Sequence, residues 1–124
     1  MLYADEHAVV MMNRFPYSHA HLMVAPRRHT ADLLALDATT ACAVHTQIQR
    51  AVAALGAEYA PHGYNIGINL GRAAGAGIAD HLHWHVVPRW EGDTNFMPLL
   101  ADTRVMPEHI ETAYDRLVVH FEER

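Results

Sequence analysis

The chain has 124 residues, 51% apolar and 19% charged. That is one domain's worth of sequence, expected to span 1–124, with enough apolar material for a core and too much for intrinsic disorder. A net charge of −5 argues against a broad basic face for nucleic acid. No apolar run approaches the ~18–20 residues that a membrane span needs. The single Cys42 leaves no internal disulfide and no Cys-pair zinc site. Nothing at the N-terminus has the pattern of a secretory leader, so the expected compartment is the cytoplasm.

In chain order, His7 to Asn13 reads as a first strand and His21 to Ala25 as a second. Between them, Pro16 marks a turn over Arg14 to Ser18, so the two strands are expected to pair antiparallel. Thr30 to Leu36 suits a short helical turn. Asp37 is a good N-cap for a long helix from Ala38 to Tyr59. Its apolar stripe is Ala41, Val44, Ile48, Val52 and Leu55, and the helix stops at Pro61-His62-Gly63. Tyr64 to Leu70 is the third strand, with Ile66 and Ile68 on one face and Asn65, Gly67 and Asn69 on the other. A glycine-rich loop, Gly71 to Ala79, runs into a fourth strand from His81 to Pro88. Pro107 to Glu122 reads as a C-terminal helix with a stripe of Ile110, Ala113, Leu117, Val118 and Phe121. The fold class is α+β, an antiparallel sheet carrying one long helix and a terminal one.

Of the eleven histidines, His81, His83 and His85 alternate with Leu82, Trp84 and Val86. In a strand, alternate residues share a face, so the three imidazoles line one side. A purely structural row is disfavoured, because each buried ring needs a hydrogen-bond partner. A zinc site is a second reading, but the outer two Cα atoms of such a row lie ~13 Å apart, and His21 or His29 would have to supply ligands. The third reading is chemistry by imidazole itself: a histidine nucleophile toward phosphorus, with neighbouring rings as acid and orienting partner. The glycine-rich loop suits it, since glycine backbone presents N–H groups to phosphate oxygens.

The segment His81-Leu82-His83-Trp84-His85-Val86-Val87 resembles the signature of the histidine triad (HIT) family of nucleotide hydrolases and transferases. Asn13-Arg14-Phe15-Pro16-Tyr17 and His21 through Pro26 to His29 are similar to the family's N-terminal strand pair. Gly75 to Asp80 and Pro88 to Met97 are similar to a branch containing bacterial HIT proteins and diadenosine tetraphosphate phosphorylases. The resemblance covers essentially the whole chain. It implies a HIT-like fold and a homodimer that binds a purine nucleotide and cleaves or transfers at its α-phosphate. It makes His83 the nucleophile, His85 the group assisting departure, and His81 the residue fixing His83 from behind. By the same resemblance Asn13 holds the ribose, Met11 and Met23 flank the base, and Asn69 touches phosphate or sugar. Gly77 and Ile78 stand where many HIT hydrolases carry a Gln-Ser or Gln-Thr pair, so only backbone N–H groups are on offer there. That departure favours phosphate over water as acceptor. Relatives often begin with an added Cys-pair segment that can bind zinc; this sequence begins almost at the first strand, so no metal and no cofactor are expected. The rival readings are a zinc-dependent hydrolase using the same histidines and a non-catalytic nucleotide-binding regulator.

Among the remaining residues, His21 and His29 are expected to brace strand ends, and His7, His45, His62, His109 and His120 to lie at the surface. Trp84 is expected in the core and Cys42 packed on its helix. Arg89 is balanced between a distal phosphate and a solvated strand end, and Trp90 between the site and a subunit contact.

Overall fold

The computed structural model describes residues 1–13, 20–74, 81–93 and 110–122. Its sheet has five strands: β1 (Tyr3–Ala4), β2 (Ala8–Met12), β3 (Leu22–Pro26), β4 (Gly63–Ile68) and β5 (Trp84–Arg89). They run in the order β1-β2-β3-β5-β4, with every neighbouring pair antiparallel. The two-residue β1 was not expected. It is fixed by Asp5, whose carboxylate accepts from the backbone N–H groups of His7 and Ala8, both at 2.8 Å, and folds the chain back onto β2.

Helix α1 (Ala38–Tyr59) begins after Asp37 and ends on Ala60, a left-handed residue at φ 46° whose N–H donates to Gly56 O. Pro61 then prevents continuation. The helix lies on one face of the sheet, packed against β2, β3 and β5. Val44, Ile48, Ala51, Ala54 and Leu55 meet Val10, Leu22, Val24 and Val86 in the core. The buried stripe is rotated from the expected one. Ala41 is exposed and Val52 only partly covered, whereas Thr40 and Gln47 are buried. Cys42 is also exposed rather than packed.

A second helix, α2 (Ile110–Val118), continues into a 3-10 turn at Val119–Phe121. Ala113, Leu117 and Phe121 are buried as expected, Val118 packs partly, and Ile110 is exposed. Its Arg116 donates to Glu58 Oε1 at 3.1 Å, and His120 Nε2 lies 2.8 Å from Glu58 Oε2. The end of α1 is thereby tied to the C-terminal segment, and His120 is half-buried rather than a plain surface group.

Candidate functional site

Even-numbered strand residues face α1, so the odd-numbered ones line the opposite face of the sheet. Register makes this specific. Met11 pairs with Met23, Met23 with His85, and His85 with Gly67, a single row across four strands. The ladder continues one step through Asn13 N–H donating to His21 O at 2.9 Å, which adds Asn13 and His21 beside Val87 and Asn65. Asn69 lies one residue past the end of β4, on the same parity. The strand pattern therefore brings Met11, Met23, Asn13, Asn69 and the histidine row to one face. Gly77 and Ile78 lie outside the described residues.

One expectation needs correction. β5 starts at Trp84, not His81, so His81 and His83 precede the ladder. Alternation persists because other bonds hold the segment: Leu82 N–H donates to Thr30 O at 2.8 Å, and His81 Nε2–H donates to Pro26 O at 2.7 Å. Leu82 is buried and Trp84 packs against the core, as expected.

The ring contacts assign protons. His83 Nδ1 lies 2.9 Å from His81 O, and a carbonyl only accepts, so Nδ1 carries the hydrogen and Nε2 keeps its lone pair. Asn13 Nδ2 donates to His21 Nδ1 at 3.0 Å, which places the His21 hydrogen on Nε2. That hydrogen is donated to His85 Nδ1 at 2.8 Å, leaving the His85 hydrogen on Nε2. The His83 and His85 ring centroids are 4.9 Å apart, nearly perpendicular. One face of the sheet thus holds an imidazole lone pair beside an imidazole N–H.

Burial disfavours the charged forms of His21 and His85. Desolvation, then the charges of His85 and His83, holds His21 down at about 4. His85 is also depressed, by desolvation first and by His83 second.

His21 and His29 were expected to brace backbone. Instead His21 bridges Asn13 and His85, while His29 Nδ1 lies 3.4 Å from His81 Nδ1 with the rings edge-on. The available signal was parity, since His21 lies two residues before Met23 on the strand beside the triad. Arg89 does not project as a bare cation: its guanidinium is paired with Asp93 at 2.7 Å. Among the described residues, no group of three or more His, Cys, Asp or Glu is arranged to hold a metal ion, and no helix is long and apolar enough to cross a membrane.

The HIT domain family model matches residues 1–92. The chain is 40% identical over 98 residues to an AP-4-A phosphorylase of Mycobacterium tuberculosis, covering 79% of this chain and 50% of that one. It therefore spans half the length of that relative. It is 31% identical over 93 residues to an uncharacterized HIT-like protein of Methanocaldococcus jannaschii, covering 75% and 70%. Among solved structures, a zinc-bound histidine triad family protein of Mycobacterium smegmatis superposes with a TM-score of 0.74 at 28% identity, over 96% of this chain and 81% of that one. A hypothetical histidine triad nucleotide-binding protein of Sulfolobus tokodaii gives 0.72 at 26%, over 96% and 78%.

Proposed function

Because the chain belongs to the HIT domain family, we propose that it transfers a nucleotidyl group from a purine nucleotide, a dinucleoside polyphosphate or nucleotide phosphoramidate, through a covalent adduct on His83. The observation that carries this reading is the pair of assigned tautomers. His83 Nε2 has a lone pair, and His85 offers Nε2–H beside it. Nucleophilic attack needs such a lone pair, and charge stabilisation needs such a donor beside it.

In the first step the His83 Nε2 lone pair attacks the α-phosphorus and the bond to the departing phosphate oxygen breaks. The charge arriving on that oxygen is met by the His85 N–H, while the positive charge on the His83 ring is shared with His81 O through Nδ1–H. In the second step an oxygen of inorganic phosphate attacks the same phosphorus and His83 leaves with its electron pair restored. A phosphate oxyanion brings no proton to be removed. Water as acceptor would need a base, and the side-chain amide and hydroxyl that help place the phosphate in many hydrolases are lacking at Gly77 and Ile78. The name of the M. tuberculosis relative favours phosphate too. Asn13 offers a donor and an acceptor to the ribose diol; Met11 and Met23, adjacent on β2 and β3, form an adaptable surface for the base. Asn69 lies at the phosphate end.

The test is a product screen with diadenosine polyphosphates, with and without inorganic phosphate. ADP formation that requires phosphate supports the phosphorylase reading, and AMP release without it supports hydrolysis. His83→Ala should lower turnover by roughly 10³-fold or more; full activity in that variant would remove the nucleophile assignment. Stoichiometric zinc required for turnover would favour the metal-dependent rival. AMP binding with no turnover would favour the regulator.

We also propose a homodimer formed along β4. It is a sheet edge, and its Ile66 is 48% exposed on the α1 side.

A further inference from the structure

The space beside His85 opens over β4. Gly67 is the cross-strand neighbour of His85, and a Cβ placed on it would meet nothing within 4 Å. Asn65 and Asn69 flank Gly67 on the same face. Asn65 is exposed, yet its amide is not free to turn. Arg89 Nη1 donates to Asn65 Oδ1. A guanidinium only donates, so the amide oxygen must face Arg89 and the amide nitrogen must face away. Arg89 is itself clamped: Nε and Nη2 donate to the Asp93 carboxylate at 3.0 and 2.7 Å. Asp93 Oδ2 also accepts from Trp90 N–H at 3.0 Å. Arg89 O accepts from His62 N–H at 2.9 Å, which fixes the end of the strand.

An exposed asparagine ordinarily samples several rotamers. Here a carboxylate holds an arginine and the arginine holds one end of the amide, so the other end is a pre-organised donor. Because Asp93 neutralises Arg89, the group presented to a ligand is the amide N–H pair, not a bare cation.

We propose that Asn65 is a specificity-determining residue for the departing half of the substrate, its Nδ2 hydrogens donating to oxygens of the leaving phosphate chain. Arg89 and Asp93 act through it as positioning residues. The inference rests on the function proposed above, with the retained nucleoside over Met11, Met23 and Asn13. β5 separates that part of the face from β4, so the departing half crosses His85 and runs over Gly67, where no side chain among the described residues blocks it.

The experiment compares kcat/KM for diadenosine tetraphosphate with kcat/KM for adenosine 5′-phosphoramidate, whose departing group carries no phosphate oxygen. Asn65→Asp keeps the shape and an acceptor for Arg89, but replaces the donor by a second oxygen. The ratio of the two constants should fall by roughly tenfold or more, and Arg89→Gln should lower it less, in the same direction. Both substrates are read on one preparation, so partial loss of folded protein cancels. A ratio unmoved by Asn65→Asp overturns the assignment of Asn65 while leaving His83 chemistry intact. Failure of the unaltered protein to turn over either substrate overturns the underlying function, and this inference with it.

Discussion

At the scale of single residues, the decisive quantity is which nitrogen of each ring carries hydrogen. His21 sets this for His85, and burial keeps His21 uncharged down to about pH 4. The unfolded chain takes up that proton near pH 6.5. Between those values the unfolded state binds more protons, so stability falls as pH falls through the window. Allowing for screening by solvent at a half-exposed site, the loss at pH 4.5 should be about 1–2 kcal/mol relative to pH 7. Urea midpoints at the two pH values measure it, and His21→Gln should flatten the dependence. If the variant keeps the full slope, His21 is not the group responsible. The same substitution should lower kcat by roughly 100-fold, the lower end of a general acid–base contribution, because His21 acts through His85. The shared face of His81, His83 and His85 was legible from alternation, whereas Met11, Met23 and Asn13 entered only through the family resemblance. The relay through His21 was not, because it depends on the register between β3 and β5, which neither strand's own pattern specifies.

At the scale of elements, α1 was legible to the residue, since Asp37 and Pro61 bracket it. Its buried stripe was not, because alanine suits either side of a helix. The sheet rather than hydropathy decides that Ala41 faces water and Gln47 does not. The start of β5 was misjudged for a related reason: alternation records which way side chains point, not whether a ladder partner is present. Gly56 shows how strand and helix constrain each other. A Cβ there would lie 3.1 Å from the Tyr64 hydroxyl, which donates to Val52 O at 3.2 Å. Gly56→Ala should therefore realise the helix-propensity gain of about 0.8–1 kcal/mol only when Tyr64→Phe has removed that hydroxyl. In the otherwise unaltered chain the gain should be smaller or reversed. A double-mutant cycle by urea unfolding reads the coupling directly, and additivity would show that the hydroxyl is not the obstacle.

At the scale of the whole molecule, α1 occupies one face of the sheet; the proposed chemistry would use the opposite face and the proposed homodimer the β4 edge. A lysine at Ile66 should charge that edge, a common device against edge pairing. Sedimentation equilibrium should show a dimer for the unaltered chain and a monomer for Ile66→Lys; two identical profiles would place any dimer elsewhere. The tethers of residues 81–83 have a different consequence. Two of them end on the main-chain oxygens of Pro26 and Thr30, which every amino acid supplies at those positions. Apart from His29, whose ring meets His81, side chains along that strap can change without removing these two anchors. A single inserted or deleted residue between 26 and 30 would shift one acceptor relative to the other and undo both anchors, so the segment tolerates changes of spelling but not of length.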